Sequence, residues 1–321
     1  MASRFPFPPY PNGWFAIGYG DELAPGAVRP LRYFGRDLVL FRDDTGAVRV
    51  LDAHCPHLGA HLGHGGRVEG AAIRCPFHGW LWSGEGQCLE IPYAKRIPPK
   101  ARMRAWPACE RNGVVHLWHH AEGAAPDFAI DEVPEYGSPD WRPAARLDWT
   151  VASRMYDMGE NAVDHVHFAY LHGASGAPTH SQSEDADGRV HNRSRMQMTT
   201  PRGPVEGSIE SRGIGPGIGV VHVRGVVDTV IMTLNTPIDD EHVHVRFAYT
   251  QRATEDPRQL RVGAAMLADL KRQMEQDIVV FENKRYWTQP LLVPEDGPIA
   301  AYRKRARRWY TGAFPAEPGE E

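Results

Sequence analysis

Cys55-Pro56-His57-Leu58-Gly59-Ala60 and Cys75-Pro76-Phe77-His78-Gly79-Trp80 decide how this chain is read, with 17 residues between His57 and Cys75. Each stretch offers one thiolate and one imidazole. Two sulfurs for one iron and two nitrogens for another is the donor set of a mixed-ligand two-iron, two-sulfur cluster. Replacing two thiolates by neutral imidazoles removes negative charge, so the potential rises to roughly −150 to +300 mV, against about −400 mV for all-cysteine plant-type clusters. A structural zinc site also uses two Cys and two His. Such sites usually pair Cys with Cys and His with His along the chain, whereas each pair here is mixed, which favours the cluster. Cys88, Cys109, His54, His61 and His64 fall outside the motif and are read as non-ligands.

A cluster only moves electrons, so a second site must use them. Glu160-Asn161-Ala162-Val163-Asp164-His165-Val166-His167-Phe168-Ala169-Tyr170-Leu171-His172 is the candidate. Ser153–Leu171 reads as helical, stopped by Gly173. At helical spacing Asn161, Asp164 and His167 share a face, and His172 at the helix end can turn back toward it. Two imidazoles and one carboxylate form the facial triad of non-haem Fe(II) oxygenases. The acid must come from elsewhere. Leu270, Met274, Ile278 and Phe281 make an apolar stripe on a long helix expected over about 258–287. Asp277 lies at the stripe's edge, and an acid facing a core is costly unless paired or bound to metal. Glu275 and Asp269 point away and are weaker candidates. Taken singly, His167 and His172 also read as satisfied core histidines and Asp277 as a buried ion-pair partner. His242 and His244 share a strand face as a rival pair, with no acid near them in sequence.

With both motifs in view, the chain resembles the Rieske non-haem iron oxygenases, oxygenase component. Gly86-Gln87-Cys88 and Ile91-Pro92 extend the likeness around the cluster motif, and Asn161-x-x-Asp164-x-x-His167-x-x-x-x-His172 matches the family's mononuclear-iron motif. The resemblance implies Cys55, His57, Cys75 and His78 on the [2Fe–2S] cluster, and His167, His172 and Asp277 on Fe(II). It also implies that Asp164 links His167 to His78 or His57 of the next subunit in a head-to-tail trimer, with Asn161 beside the iron. Gln276–Lys284, Gln289-Pro290-Leu291-Leu292 and Asp296-Gly297-Pro298 are similar to the C-terminal helix region of the steroid-acting branch, which includes 3-ketosteroid 9α-hydroxylases and cholesterol 7-desaturases; Thr236-Pro237-Ile238-Asp239 is compatible with it. The implied activity is O2-dependent oxidation of a C–H bond in a large hydrophobic substrate, a sterol or steroid, by hydroxylation, desaturation or demethylation. The alternative substrate is a smaller aromatic or alkaloid-like molecule. No Gly-x-Gly-x-x-Gly loop follows an expected strand, so electrons come from NAD(P)H through a separate reductase, with a ferredoxin.

The rest of the sequence sets the frame. Its 321 residues suffice for two cores. Residues 1–120 carry short β-type runs at Trp14–Ile17, Asp37–Phe41, Val48–Leu51, Ala72–Cys75 and Gly113–Trp118, which is the pattern of a small all-β domain. Residues 121–145, rich in Gly and Pro, read as a connection. From 146 to 321 the expected helix, β-type runs at Gly219–Val227, Val230–Leu234 and His242–Tyr249, and the long C-terminal helix indicate an α+β domain. The family likeness makes this a helix-grip (START-like) catalytic domain: an antiparallel sheet crossed by that helix. Its pocket is expected between strands 219–234 and helix 153–171, with 174–193 as a polar loop or lid. A purely electron-carrying protein leaves the second motif unexplained, and a zinc-stabilised lipid-binding module leaves the mixed Cys/His order unexplained. A net charge of −4 gives no reason to expect nucleic acid. The basic run Arg303, Lys304, Arg305, Arg307 and Arg308 reads as a solvated helix face or a docking point for an acidic redox partner. No run of about 18 apolar residues exists. MASRFPFPPYPNG lacks an apolar signal core, and four cysteines do not make a disulfide framework, so the expectation is a reducing cytoplasm.

Overall fold

The computed structural model describes residues 4–173, 179–184, 190–200 and 203–315. The chain forms two compact units: Gly13–Glu132 with Ile238–Asp240, and Met1–Asn12 with Val133–Pro237 and Glu241–Glu321.

The smaller unit is built from short antiparallel strands. β1 (Gly13–Tyr19), β10 (Ala108–Arg111) and β11 (Val114–His119) form one sheet in the order β1-β11-β10. β2 (Val28–Tyr33), β3 (Arg36–Arg42), β4 (Val48–Asp52) and β9 (Ala105–Trp106) form a second, and β5 (Arg67–Glu69), β6 (Ala72–Arg74), β7 (Leu81–Ser83) and β8 (Cys88–Glu90) a third. A turn at Asp43–Gly46, closed by the Gly46 N–H donating to the Asp43 carbonyl at 2.9 Å, joins β3 to β4. The fully buried Asp43 carboxylate accepts from the N–H groups of Thr45 and Ala47, both at 3.0 Å, and from Arg49 Nε at 2.9 Å. Val39, Phe41, Leu51, Leu62, Ile73 and Trp82 pack with Cys55 and Cys75 into one core. The cysteines therefore sit on a rigid, dry foundation.

The larger unit carries a seven-stranded antiparallel sheet. β12 (Ala145–Val151), β13 (Thr179–Glu184), β14 (Val190–Thr200), β15 (Gly203–Gly213), β16 (Ile218–Arg224), β17 (Thr229–Pro237) and β18 (Val243–Gln251) lie in the order β12-β18-β17-β16-β15-β14-β13. Helices α1 (Met155–Met158) and α2 (His167–Tyr170) are single turns, α3 (Pro257–Asn283) is long, and α4 (Ile299–Ala306) follows it. Asp256 caps α3 by accepting from the Arg258 N–H at 2.9 Å, and Pro257 opens the first turn. One sheet face meets α3: Tyr249 donates to the Gly263 carbonyl at 3.4 Å. A Cβ at residue 263 would lie 2.1 Å from Gln251 Oε1, so glycine permits this close approach. Elsewhere on the sheet the Tyr136 hydroxyl donates to the Ala248 carbonyl and accepts from the Met232 N–H at 2.9 Å.

The fold class is the expected α+β, but several elements differ. The continuous helix expected over Ser153–Leu171 is broken into α1, a 3₁₀ turn at Gly159–Ala162, and α2. The Asp164 carboxylate explains part of the break. It accepts from the N–H groups of Val166 and His167 at 3.0 and 3.3 Å, offering the backbone an alternative to helix. Asn161, Asp164 and His167 therefore do not share one helical face. The supposed loop 174–193 contains β13 and the start of β14, paired from Thr179↔Arg195 to Glu184↔Val190; its residues 174–178 and 185–189 lie outside those described. α3 ends at Asn283 rather than near 287, because Lys284 turns extended (ψ 152°) and sends its ammonium back to Asp157 and Glu160. Among the described residues, no helix is long and apolar enough to cross a membrane.

Candidate metal centres

In the smaller unit the two motif loops are wired alike. Cys55 donates its N–H to the Ala60 carbonyl at 2.9 Å, and Gly59 donates to the Cys55 carbonyl at 2.9 Å. Cys75 donates to Trp80 at 2.8 Å, and Gly79 to Cys75 at 3.2 Å. Both glycines are left-handed, with φ of 78° and 71°, which is why the fourth residue after each cysteine is Gly. These turns bring like donors together. Both thiols are buried and unbridged, at 1% and 3% exposure. The imidazoles of His57 and His78 are 4.6 Å apart between centroids. Burial pushes the Cys55 thiol up to about 11, and the adjacent Cys75 sulfur adds to the rise. A pair of thiolates there needs cations beside it. Sulfurs on one side and imidazoles on the other suit a group with two different irons, so the donor set fits a [2Fe–2S] cluster.

The surroundings stiffen this site. Trp80 stacks on His57 at 4.8 Å with an interplanar angle of 11°, and its indole N–H donates to the Tyr93 hydroxyl at 2.8 Å. Nothing in the motif points to Tyr93; only the fold brings it to Trp80. Cys88 and Cys109 stand apart: Cys88 Sγ contacts the Glu90 carbonyl, and Cys109 lies on β10 opposite His116. His54, His61 and His64 form their own imidazole row, with centroids 5.0 and 4.6 Å apart.

In the larger unit His167, His172 and Asp277 present ligand atoms all within 4.8 Å of one another. His167 opens α2, and its Nδ1 contacts the Asp164 carbonyl at 2.5 Å. His172 follows the same helix, is 8% exposed, and has Nδ1 3.0 Å from Gln276 Oε1. A carbonyl oxygen can only accept, so each Nδ1 carries the proton and each Nε2 keeps its lone pair for the centre. His172 Nε2 lies 3.2 Å from Asp277 Oδ1. Asn161 donates to the other oxygen, Asp277 Oδ2, at 3.3 Å. Among the described residues, His167 Nε2 and Asp277 Oδ1 are buried with no hydrogen-bond partner. Burial pushes the Asp277 carboxyl up from its ordinary value, against the pull of His172 and His167. Two open lone pairs and a costly buried carboxylate fit a divalent iron in facial coordination.

Asp277 reaches the centre because Met274, Asp277 and Phe281 share the buried face of α3. Asp269 instead pairs with Arg272 at 2.6 Å, and Glu275 with Lys271 at 3.7 Å, all exposed. Asp164 takes no place among the three converging groups; its carboxylate stays partly open to solvent at 36% exposure. His244 does have an acid nearby, Asp148 across the strand pair at 3.8 Å, a contact the sequence alone did not reveal. Sequence reasoning also missed Gln276 and the brace under the site. Glu160 binds Arg303 at 2.6 Å and Lys284 at 3.2 Å, and Lys284 reaches Asp157 at 3.1 Å. The cleft at the centre has a volume of about 270 Å³ and is lined by Asn161, Asp164, His167, Asp277, Phe281 and Leu292 among others. Its walls come from helices and the segment after α3, rather than from the strands expected to line a pocket.

The comparisons with known proteins agree with this chemistry. Residues 13–106 match the Rieske [2Fe-2S] domain, and residues 117–312 match the 3-Ketosteroid 9alpha-hydroxylase C-terminal domain. A probable 3-ketosteroid-9-alpha-monooxygenase oxygenase component of Rhodococcus rhodochrous is 32% identical, over 94% of this chain and 79% of that protein. Cholesterol 7-desaturase nvd of Xenopus laevis is 30% identical, over 96% and 73%. The crystal structure of dicamba monooxygenase bound to dicamba shares the fold, with a TM-score of 0.77 at 18% identity over 94% of this chain and 98% of that one. Fold and matches together define a Rieske-type non-haem iron oxygenase, with a [2Fe–2S] cluster, a mononuclear iron and electrons from a separate reductase. Within that class, the chain belongs to the family of the 3-ketosteroid 9α-hydroxylase C-terminal domain.

Proposed function

We propose that this oxygenase component oxidises a C–H bond of a sterol or steroid, by hydroxylation, desaturation or demethylation. The observation that carries the reading is the convergence of His167, His172 and Asp277 inside a domain whose relatives are steroid and cholesterol oxygenases. When bound there, iron supplies the activation of dioxygen. The chain's own groups set the geometry. The Asp164 carbonyl and Gln276 fix which imidazole nitrogens face the centre, and Asn161 holds one Asp277 oxygen. Apolar Phe281 and Leu292 at the cleft keep a greasy substrate and exclude water. Cys55, His57, Cys75 and His78 hold the cluster that feeds the reaction, reduced through a ferredoxin.

The solvent-open Asp164 carboxylate suits a further role. In a head-to-tail trimer it accepts from His78 or His57 of the next copy and links that cluster histidine to His167. Light scattering on the holoprotein is expected to give the mass of three chains; a monomer removes this link. The substrate reading is tested with the holoenzyme and a surrogate reductase. Sterols, 3-ketosteroids and aromatic acids are offered in parallel, and products are detected by mass. Oxygen gain or loss of two hydrogens in a steroid is expected. Turnover of aromatic acids alone sinks the steroid assignment.

A further inference from the structure

Between Glu90 and Glu110 the chain has no acidic residue, yet it carries Lys95, Arg96, Lys100, Arg102 and Arg104. All five are exposed. Lys95, Arg96, Lys100 and Arg102 make no side-chain ion pair or hydrogen bond among the described residues. Arg104 lies over the Trp106 ring at 3.7 Å, and Arg36 adds a sixth cation 6.0 Å from the same ring. This differs from three arginines elsewhere in the smaller unit. Arg42, Arg49 and Arg74 are each committed to carboxylates at 2.6–2.9 Å.

The segment is not a loose tail. Ala94 donates to the Ile91 carbonyl at 3.0 Å and Ala101 to Pro98 at 2.9 Å, forming two turns. Cys88 donates to Ala101 at 3.2 Å and Met103 to Gly86 at 2.8 Å, which ties the segment to β8. At its start stands Tyr93, 62% exposed, bonded to Trp80, which stacks on His57. A fixed row of uncommitted positive charge thus begins at a hydrogen-bonded aromatic contact leading to a cluster imidazole.

We propose that Lys95, Arg96, Lys100 and Arg102 form the docking surface for an acidic iron–sulfur electron donor, which delivers its electron through Tyr93, Trp80 and His57. This rests on the oxygenase reading and names the partner surface it lacks. Uncommitted cations break no intramolecular ion pair when they meet partner carboxylates, and they steer encounter over about a Debye length. A chain of net charge −4 gives no ground for nucleic acid as the occupant. The step is one electron: the donor cluster is oxidised, the cluster of this chain is reduced, and no bond or proton moves.

The test uses the holoenzyme and an acidic plant-type [2Fe–2S] ferredoxin as probe. Stopped-flow bleaching of the oxidised cluster by reduced ferredoxin is followed across ionic strength. Binding of oxidised ferredoxin to oxidised enzyme is measured separately by thermophoresis. Wild type is expected to slow steeply with salt. K95E/R96E/K100E/R102E is expected to lose at least about tenfold in rate and affinity at low salt, with a flattened or reversed salt slope. Reduction of that variant by a small photogenerated flavin radical should match wild type. The milder K95Q/R96Q serves if the fourfold variant does not fold. A salt-insensitive wild type, or variants with unchanged rate and slope, overturns the proposal. So does a variant that loses its assembly state while ferredoxin reduces it normally, which assigns the face to a second copy. Failure of the oxygenase reading is distinct: no cluster would then be present to bleach.

Discussion

At the residue scale, each histidine of the triad is aimed by a partner that has no ligand role. Gln276 holds His172 Nδ1 and is itself fixed by Arg272, whose Nη1 donates to the same oxygen at 2.9 Å. Gln276→Leu keeps the size of the side chain and removes the acceptor. The mononuclear iron is expected to bind about 10- to 100-fold more weakly, measured by competition with a ferrous chelator, while the cluster spectrum stays unchanged. Asp277→Ala removes a donor outright. Iron should fall from about three to about two per chain, with a normal cluster signal; retained mononuclear iron assigns the third ligand elsewhere. Asp277 was legible in the sequence because an acid in an apolar stripe demands a partner. Gln276 was not, because its meaning comes only from His172, 104 residues away.

Elements were legible where local chemistry and packing agree. The runs around β1, β3, β4, β6 and β11 are apolar and bounded by turns, and α3 has a stripe, an Asp cap and a first-turn Pro. β13 to β15 were hidden because their order comes from backbone pairing along a ladder, with Ser, Asn, Gln and Arg rather than β-branched residues marking much of them. The break in 153–171 was hidden because one side chain, Asp164, captures two amides that a helix would use. The N-terminus carried a quieter surprise. Phe5 and Phe7 belong to the larger unit, buried with Tyr156, Tyr286 and Ala306, and their carbonyls accept from the buried Arg154. Phe7 stands 4.8 Å from Tyr156 and 4.9 Å from Tyr286. Phe7→Ala is therefore expected to destabilise the larger unit by about 3–5 kcal/mol, read by thermal unfolding. A loss below about 1 kcal/mol makes the aromatic contact an ornament rather than a clasp.

For the whole molecule, two metal centres in two units require a connection and a common stability range. Asp164→Asn tests the proposed link: if Asp164 bridges to the next copy, both metals should remain while steady-state turnover falls by about 100-fold or more. Loss of iron instead makes Asp164 part of the mononuclear site. The stability range is expected to depend on depressed imidazoles, a buried one in the smaller unit and a partly buried one in the larger. His116 in β11 is 1% exposed, and burial depresses it to about 3. His244 in β18 is depressed to about 4, by burial first and then by Arg246. A histidine whose folded pKa lies below the unfolded value of about 6.5 takes up a proton on unfolding. Its stabilising contribution is complete above about pH 6.5 and falls as the pH drops toward the folded value, by up to about 1.4 kcal/mol per pH unit for each group. Urea unfolding at pH 7.5 and 5.0 should show both units weakened at the lower pH, with cluster bleaching reporting the smaller unit and tryptophan emission the whole chain. His116→Leu should flatten the pH dependence of the bleaching transition and leave that of the larger unit unchanged. An equally steep bleaching transition in the leucine variant moves the acid sensitivity to other groups, the cluster ligands first among them.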